Sequence, residues 1–403
     1  MIMKLKSIKE LKNLSGKKVL VRSDFNVAFS GNKIKETFKI DKSFSTIKYL
    51  RNKGAKIILI SHLGRPNGYD RKYSLKPIFN YLKKEFKKNI FFVDISDNIF
   101  SDSKKIEKIQ KIINTRPSGS IFIFENIRFI KNEDKNDKNV AKILSLFGDF
   151  FVLDGFAVAH RPSSSVVGVA KFLPTYAGLL MEEEVKGLSK LLKKPKKPFV
   201  VVIGGNKIET KLPMLKKLID NASQVLICGG IANTFLLAQK YKIGASIFDK
   251  QGIKEAAKFI NNKKIILPID YVVGDKFGKN THLVEVGKSK IIADDKMGIF
   301  DIGPKTISLY TKYIKKANTL IWNGAAGMFE VKEYSWGSKS IARLFAWRAK
   351  GKAFGALGGG ETVEIINKYN LMDDIDLVST GGGAMLSFLS GEELPGVSII
   401  KKK

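Results

Sequence analysis

Four short clusters in the first half of this 403-residue chain combine cations, amides and carboxylates at close spacing. They are Arg22-Ser23-Asp24-Phe25-Asn26, Ser61-His62-Leu63-Gly64-Arg65-Pro66, Glu125-Asn126-Ile127-Arg128, and Asp154 followed by His160-Arg161. Guanidinium forks grip carboxylate and phosphate oxygens in pairs, and Asp or Asn can hold hydroxyls, so the set suits a small anion bearing both acid groups. Taken singly, each arginine reads equally well as a surface ion pair and each histidine as a packed residue. The repetition of the pattern carries the functional reading.

The second half offers glycine instead: Gly204-Gly205-Asn206-Lys207, Gly229-Gly230, Asn323-Gly324, Gly358-Gly359-Gly360-Glu361-Thr362 and Gly381-Gly382-Gly383. Without a Cβ the main-chain N–H groups can approach phosphate oxygens, and a helix starting there turns its free N–H groups toward the anion. A nucleotide is the expected ligand; tight strand-to-helix turns are the bland alternative. The G-x-x-x-x-G-K-[ST] loop, the protein-kinase glycine loop and G-x-G-x-x-G are all absent, so the phosphates must be held by another arrangement.

Each cluster follows a short β-branched or aromatic run. Val19–Arg22, Lys56–Ser61, Ile90–Asp94, Ser120–Glu125 and Asp149–Asp154 form one set of strands; Phe199–Ile203, Gln224–Cys228, Lys264–Leu267, Thr319–Trp322, Ala353–Leu357 and Leu377–Thr380 form a second. Helical periodicity fills the intervals, which predicts an α/β fold of two doubly wound, Rossmann-like parallel-sheet domains. In such sheets ligands lie beyond the carboxyl ends of the strands, where all the clusters fall. Between the sets, a polar stretch bracketed by Pro174 and Pro198 places acidic residues before lysines, predicting a hinge helix near 175–193. A cationic pocket on one half and a glycine-lined site on the other, joined by a hinge, describe a two-substrate transferase whose closure excludes water.

Composition narrows the classes. At 44% hydrophobic residues the chain can bury a large core, and its length fits two domains. The single cysteine, Cys228, cannot form an intramolecular disulfide, which fits a reducing compartment. The start MIMKLKSIKELKNL lacks the apolar h-region of a secretion signal and no 18-residue apolar run occurs, so a cytoplasmic protein without a membrane partner is expected. Lys plus Arg number 71 against 38 Asp plus Glu, a net charge of +33 that would attract nucleic acid, anionic membrane or small acidic substrates alike. Only nine of these cations are arginine, and the lysines are scattered through every segment, which reads as a solvated surface, with a polyanion patch as the alternative. No basic stretch carries the interleaved aromatics of a single-strand binder, so nucleic acid is not an expected partner.

Through VLVRSDFNV, ISHLGRP, ENIRF, DGFAVAHR, IGGNKIETK, CGGIANTFL, DIGPKT, WNGAAGMFE, LGGGET and STGGGA, in order, the chain resembles the phosphoglycerate kinase family along nearly its whole length. The resemblance implies an acid-substrate domain over 1–174, a connecting helix over 175–193, a nucleotide domain over 194–385 and a tail over 386–403 that packs back near the first domain. It implies reversible phosphoryl transfer between 1,3-bisphosphoglycerate and ADP, giving 3-phosphoglycerate and ATP, with Mg2+ as cofactor, in a cytoplasmic monomer. By similarity Asp24, Asn26, Lys39, His62, Arg65, Arg128 and Arg161 would hold the phosphoglycerate. Gly204, Gly205, Lys207, Lys211, Asn323, Glu330, Gly359, Gly360, Glu361 and Thr362 match the nucleotide positions, with Glu330 placed for the ribose and Glu361 for the metal. Lys39, Lys211 and the N–H groups at Gly360 and Gly383 would stabilise the transferring phosphoryl group, with no general base.

The chain departs from the family pattern at several of these places. Lys39 stands where the family has arginine, keeping the charge but losing the planar fork. Glu361 replaces an aspartate, Ser163 a common second histidine, Asn206 an alanine and Ala325 a proline. Lys39, Glu361 and the +33 charge motivate an alternative: a catalytically weakened homologue that binds nucleotide or polyanion.

Overall fold

The structure is a computed structural model and describes residues 3–31, 33–95 and 102–402. The chain forms two compact units, Met1–Lys186 together with Glu393–Lys403, and Gly187–Glu392.

The first unit is built on six parallel strands, β1 (Lys18–Ser23), β2 (Lys56–Ile60), β3 (Ile90–Val93), β4 (Ile121–Phe124), β5 (Phe150–Asp154) and β6 (Thr175–Ala177), in the order β3-β4-β2-β1-β5-β6. Strands β2 and β4 are buried at every position, because helices cover both faces of a parallel sheet and leave no side for alternating polar residues. Val19, Val21, Ile57, Leu59, Ile121 and Val152 form one core cluster with Ile40, Ile47, Leu50, Ile78 and Leu82 from the helices. Each such side chain taken from water contributes roughly 1.5–3 kcal/mol. Register sets Ser23 beside Asp154 and Arg22 beside Ile60, so the segments after β1, β2 and β5 emerge at one edge. The strand order reverses at β1, between β2 and β5.

The second unit has its own six-stranded parallel sheet: β7 (Phe199–Ile203), β8 (Gln224–Ile227), β9 (Ile265–Ile266), β10 (Thr319–Asn323), β11 (Phe354–Leu357) and β12 (Leu377–Val378), ordered β9-β8-β7-β10-β11-β12. The order reverses between β7 and β10, the place where open α/β sheets bind nucleotides. There Asn323 pairs with Ile203 and Trp322 with Leu357, which puts Gly204, Gly324 and Gly358 at the same level. Beneath them Trp322 is fully buried, its ring centroid 6.0 Å from that of Phe345.

Three differences from the sequence expectations stand out. Residues 175–177, expected to open the hinge helix, form the edge strand β6, and the helix runs Leu179–Leu192. The boundary between the units, at Lys186 and Gly187, falls inside that helix. An unexpected antiparallel sheet, Asp270–Gly274 flanked by His282–Glu285 and Gly298–Ile302, interrupts the second unit. After the second unit the chain returns to the first: Lys6 N donates to Ile400 O (2.8 Å), Lys402 N to Lys4 O (2.9 Å) and Gly396 N to Ala159 O (2.8 Å), and Ile400 is fully buried.

Candidate active site

In the first unit Asp24 and His62 are almost completely buried, at 6% and 2% exposure, just beyond β1 and β2. Lys39, from the helix Phe38–Lys42, donates to Asp24 Oδ2 at 3.0 Å and lies 3.5 Å from the Asn26 carbonyl. The Asn26 amide oxygen accepts from Gly64 N at 2.9 Å, tying the segment after β1 to the segment after β2. Burial is the largest influence on the Asp24 carboxyl and works to raise it, but the charge and hydrogen bond of Lys39 together with its other basic neighbours, Arg22 among them, leave the group below its ordinary value.

Desolvation, reinforced by Arg22, pushes His62 down to about 3. The imidazole is therefore neutral, and its Nδ1 lies 3.6 Å from Asp24 Oδ1 without an ion pair. Arg22 Nη2, which can only donate, lies 3.2 Å from the same Nδ1, so the proton resides on Nε2 and is available to an acceptor oxygen. Burial also lowers Arg161, and Arg128 and Arg65 push in the same direction, as expected of guanidiniums gathered on one small site. Arg65 itself is exposed.

What sequence reading missed is the support beneath this cluster. Arg22, buried and pushed down to about 10 by desolvation, donates through Nε to Ser165 Oγ at 2.9 Å. Ser165 Oγ in turn donates to Glu133 Oε1 at 2.5 Å, and Glu133 Oε2 lies 3.2 Å from Arg128 Nε. A fully buried carboxylate thus compensates two arginines from different strand ends, while Asp134 meets Arg128 Nη1 at 3.2 Å. The only local signal was Glu133 itself, five residues after Arg128, which the strand-end rule does not select.

In the second unit Lys211 caps the start of the helix Leu212–Ile219 and sends its ammonium back to the Gly204 carbonyl and to Asn323 O (3.3 Å). Among the described residues it forms no ion pair. Burial drives it down to about 8, against a weaker opposing pull from Glu361. Gly205 has φ +82°, and a Cβ there would sit 2.9 Å from Lys211 Nζ, so a side chain would obstruct the ammonium. Asn323 Nδ2 donates to Gly358 O at 2.6 Å and Gly324 N to Thr362 Oγ1 at 2.7 Å, which locks β10 to the Gly359–Thr362 turn. The helices Gly360–Lys368 and Gly382–Ser390 begin with no side-chain cap, and beside Gly360 and Gly383 there is open space, so their N–H groups face a possible anion.

A cavity of about 400 Å³ adjoins this cluster. Gly205, Gly230 and Ala325 line one end, Ile299 and Phe329 supply apolar walls, and the exposed Glu330 and Glu361 stand at its edge. Its size suits one small organic ligand. The Lys207 side chain is exposed and does not line it. The unexpected antiparallel sheet contributes Asp301, whose carboxyl burial pushes up to about 8 while it accepts from Gly337 N at 2.7 Å.

Two of the departures meet physically. Ala325 has the N–H that a proline would lack, and Glu361 Oε2 accepts from it at 3.4 Å. Among the described residues no three His, Cys, Asp or Glu side chains converge as a metal cage. The single carboxylate of Glu361 beside uncapped helix N–H groups fits Mg2+, which commonly takes one or two carboxylates and fills its shell with phosphate oxygens and water. Among the described residues no helix is long and apolar enough to cross a membrane.

Comparison with known proteins agrees with this arrangement. The family model described as phosphoglycerate kinase matches residues 8–392. The phosphoglycerate kinase of Borreliella afzelii (strain PKo) is 41% identical over 406 residues, covering 99% of this chain and 100% of that one. The solved structure of phosphoglycerate kinase from Coxiella burnetii is 34% identical with a TM-score of 0.83, over 98% of this chain and 99% of that one. The corresponding structure from Pyrococcus horikoshii OT3 is 29% identical with a TM-score of 0.84, over 98% of each chain.

Proposed function

The chain belongs to the phosphoglycerate kinase family and is a phosphotransferase of glycolysis, and from that premise we propose how its own residues divide the reaction. Asp24, Asn26, Lys39, His62, Arg65, Arg128 and Arg161 bind phosphoglycerate, the cations taking its carboxylate and phosphate and Asp24 and Asn26 its hydroxyl. Gly204, Gly205, Lys207, Lys211, Asn323 and the Gly359–Thr362 turn bind the nucleotide phosphates, with Glu330 on the ribose. A nucleotide β-phosphate oxygen attacks the acyl phosphate, the P–O bond to the carboxyl group breaks, and the carboxylate leaves without needing a proton. Lys211 and the N–H groups at Gly360 and Gly383 offset the charge on the transferring oxygens.

The observation that carries this assignment is Lys211: a partly buried ammonium that, among the described residues, is held only by main-chain carbonyls, at the reversal point of the second sheet and beside two uncapped helix N-termini. A carboxylate partner would have spent its charge; here it is kept for a ligand. Mg2+ would be held by Glu361 with the nucleotide phosphates, where it supplies charge neutralisation. A cytoplasmic location is part of the same reading, supported by the single cysteine, buried at Cys228, and a monomer is what the family resemblance implies.

Steady-state turnover with 3-phosphoglycerate, ATP and Mg2+ tests it. The native chain turns over, and Lys211→Ala lowers kcat by about 10²–10³ in line with removal of one transition-state donor. Lys39→Arg leaves turnover within a fewfold of native. An inactive native chain revived by Lys39→Arg would sink the assignment in favour of a lapsed enzyme; no observation favours that second reading.

A further inference from the structure

On the first unit lies a groove of about 1190 Å³. This is larger than the roughly 300–1,000 Å³ of small-molecule sites, which points to an extended ligand. Its basic side chains are Lys33, Arg71, Lys72, Lys76 and Lys84, all exposed, against two carboxylates among the described residues, Asp94 and Glu125. Glu125 is buried and already accepts from Ser74 Oγ (2.6 Å), Leu75 N (2.7 Å) and Asn126 N (2.8 Å), so it opposes an incoming anion weakly. The Asp70 carboxylate, beside Arg71, is directed at Lys72 N (2.9 Å), where it caps a helical turn.

Among these cations stand aromatic rings. Tyr69 is 64% exposed although its ring centroid lies 5.1 Å from that of Phe129, so one part of the ring is anchored and the rest faces the groove. Phe92 and Tyr81 also line it, both partly buried, and Phe92 is held against Phe79 at 5.6 Å. No continuous stretch of sequence combines these features. The fold assembles them from the hairpin near Lys33, the turn at Arg71, the helix Lys76–Phe86 and strand β3.

We infer that this groove binds single-stranded nucleic acid, its lysines and Arg71 tracking the phosphates and Tyr69 offering a stacking face for a base. Cations alone would serve a polyphosphate or an anionic membrane equally; anchored, half-exposed aromatics among them favour a strand whose bases can stack. Tyr69, Arg71, Lys72 and Lys76 are not among the residues assigned to phosphoglycerate or nucleotide.

The test is fluorescence anisotropy with a fluorescein-labelled 12-nucleotide oligouridylate, about the length that such grooves engage, titrated across salt concentration. The native chain binds. Arg71→Gln/Lys72→Gln/Lys76→Gln weakens binding by about tenfold or more and lowers the slope of log K against log salt by about 2, from roughly 0.7 per phosphate contact. Tyr69→Ala weakens binding by about fivefold or more with the slope unchanged, the signature of lost stacking. A control, Lys312→Gln/Lys315→Gln/Lys316→Gln, removes the same charge from another exposed face and should do neither. Equal weakening by the control triple would attribute binding to diffuse charge, and an unaffected Tyr69→Ala would leave a phosphate-only site; either result overturns the proposal. Kinase turnover at the native level in every variant confirms that each is folded.

Discussion

An ammonium set against the carbonyls of Gly204 and Asn323 gives up water without gaining a counter-charge, so its proton is easier to remove than on an exposed lysine. Its charge is therefore present below about pH 8 and lost as pH rises through that value. The KM for nucleotide should climb above that pH, approaching about tenfold per pH unit, while the KM for phosphoglycerate stays flat. A parallel rise in both would show that Lys211 does not serve the nucleotide alone. The Ala325–Glu361 contact makes a second expectation. If the longer carboxylate compensates for the N–H that proline would lack, Glu361→Asp and Ala325→Pro are each more harmful alone than their combination predicts. A double-mutant cycle on nucleotide affinity should then return a coupling of about 1 kcal/mol, and strict additivity would make the contact incidental. Residue types at the strand ends were readable because their chemistry is unusual wherever they occur: His62, Arg128, Asp24 and the glycine runs announce an anion site from sequence. The Arg22–Ser165–Glu133–Arg128 chain was not readable, because it joins four residues across 143 positions, and nothing about a serine or a glutamate foretells that it is buried.

At the scale of elements, eleven of the twelve parallel strands declared themselves through short β-branched or aromatic runs, a direct result of burial on both faces. Thr175–Ala177 did not, being three residues directly after a proline, and it passed for the beginning of the helix behind it. In the antiparallel excursion His282–Glu285 was hidden for the opposite reason: it is exposed or only partly buried throughout, so burial imposes no pattern on its sequence, whereas its partners Asp270–Gly274 and Gly298–Ile302 are mostly buried. Where elements approach most closely, glycine is a packing requirement. A Cβ on Gly204 would lie 2.1 Å from the Ala325 carbonyl oxygen and 2.7 Å from that of Gly324, both main-chain atoms rather than a flexible group that could yield. Gly204→Ala should cost about 3 kcal/mol of stability by overpacking. All three tryptophans, Trp322, Trp336 and Trp347, lie in the second unit, so denaturation followed by tryptophan fluorescence reads that loss directly. An unchanged midpoint would mean that the β7–β10 junction can open without penalty.

For the whole molecule, sequence conveyed two α/β halves and a lysine-rich surface, but it could not say how scattered charges regroup when folded. Lys33, Arg71 and Lys84 are distant in sequence and share one groove. The path of the chain has a further consequence. Residues 393–402 belong to the first unit, pairing with Lys4 and Lys6 and burying Ile400, although the whole second unit lies between. During synthesis the first unit is made before the second yet waits for a segment translated after it. On the ribosome its terminal face stays uncovered while the second unit emerges and folds, so the order of translation and the order of completion run in opposite directions.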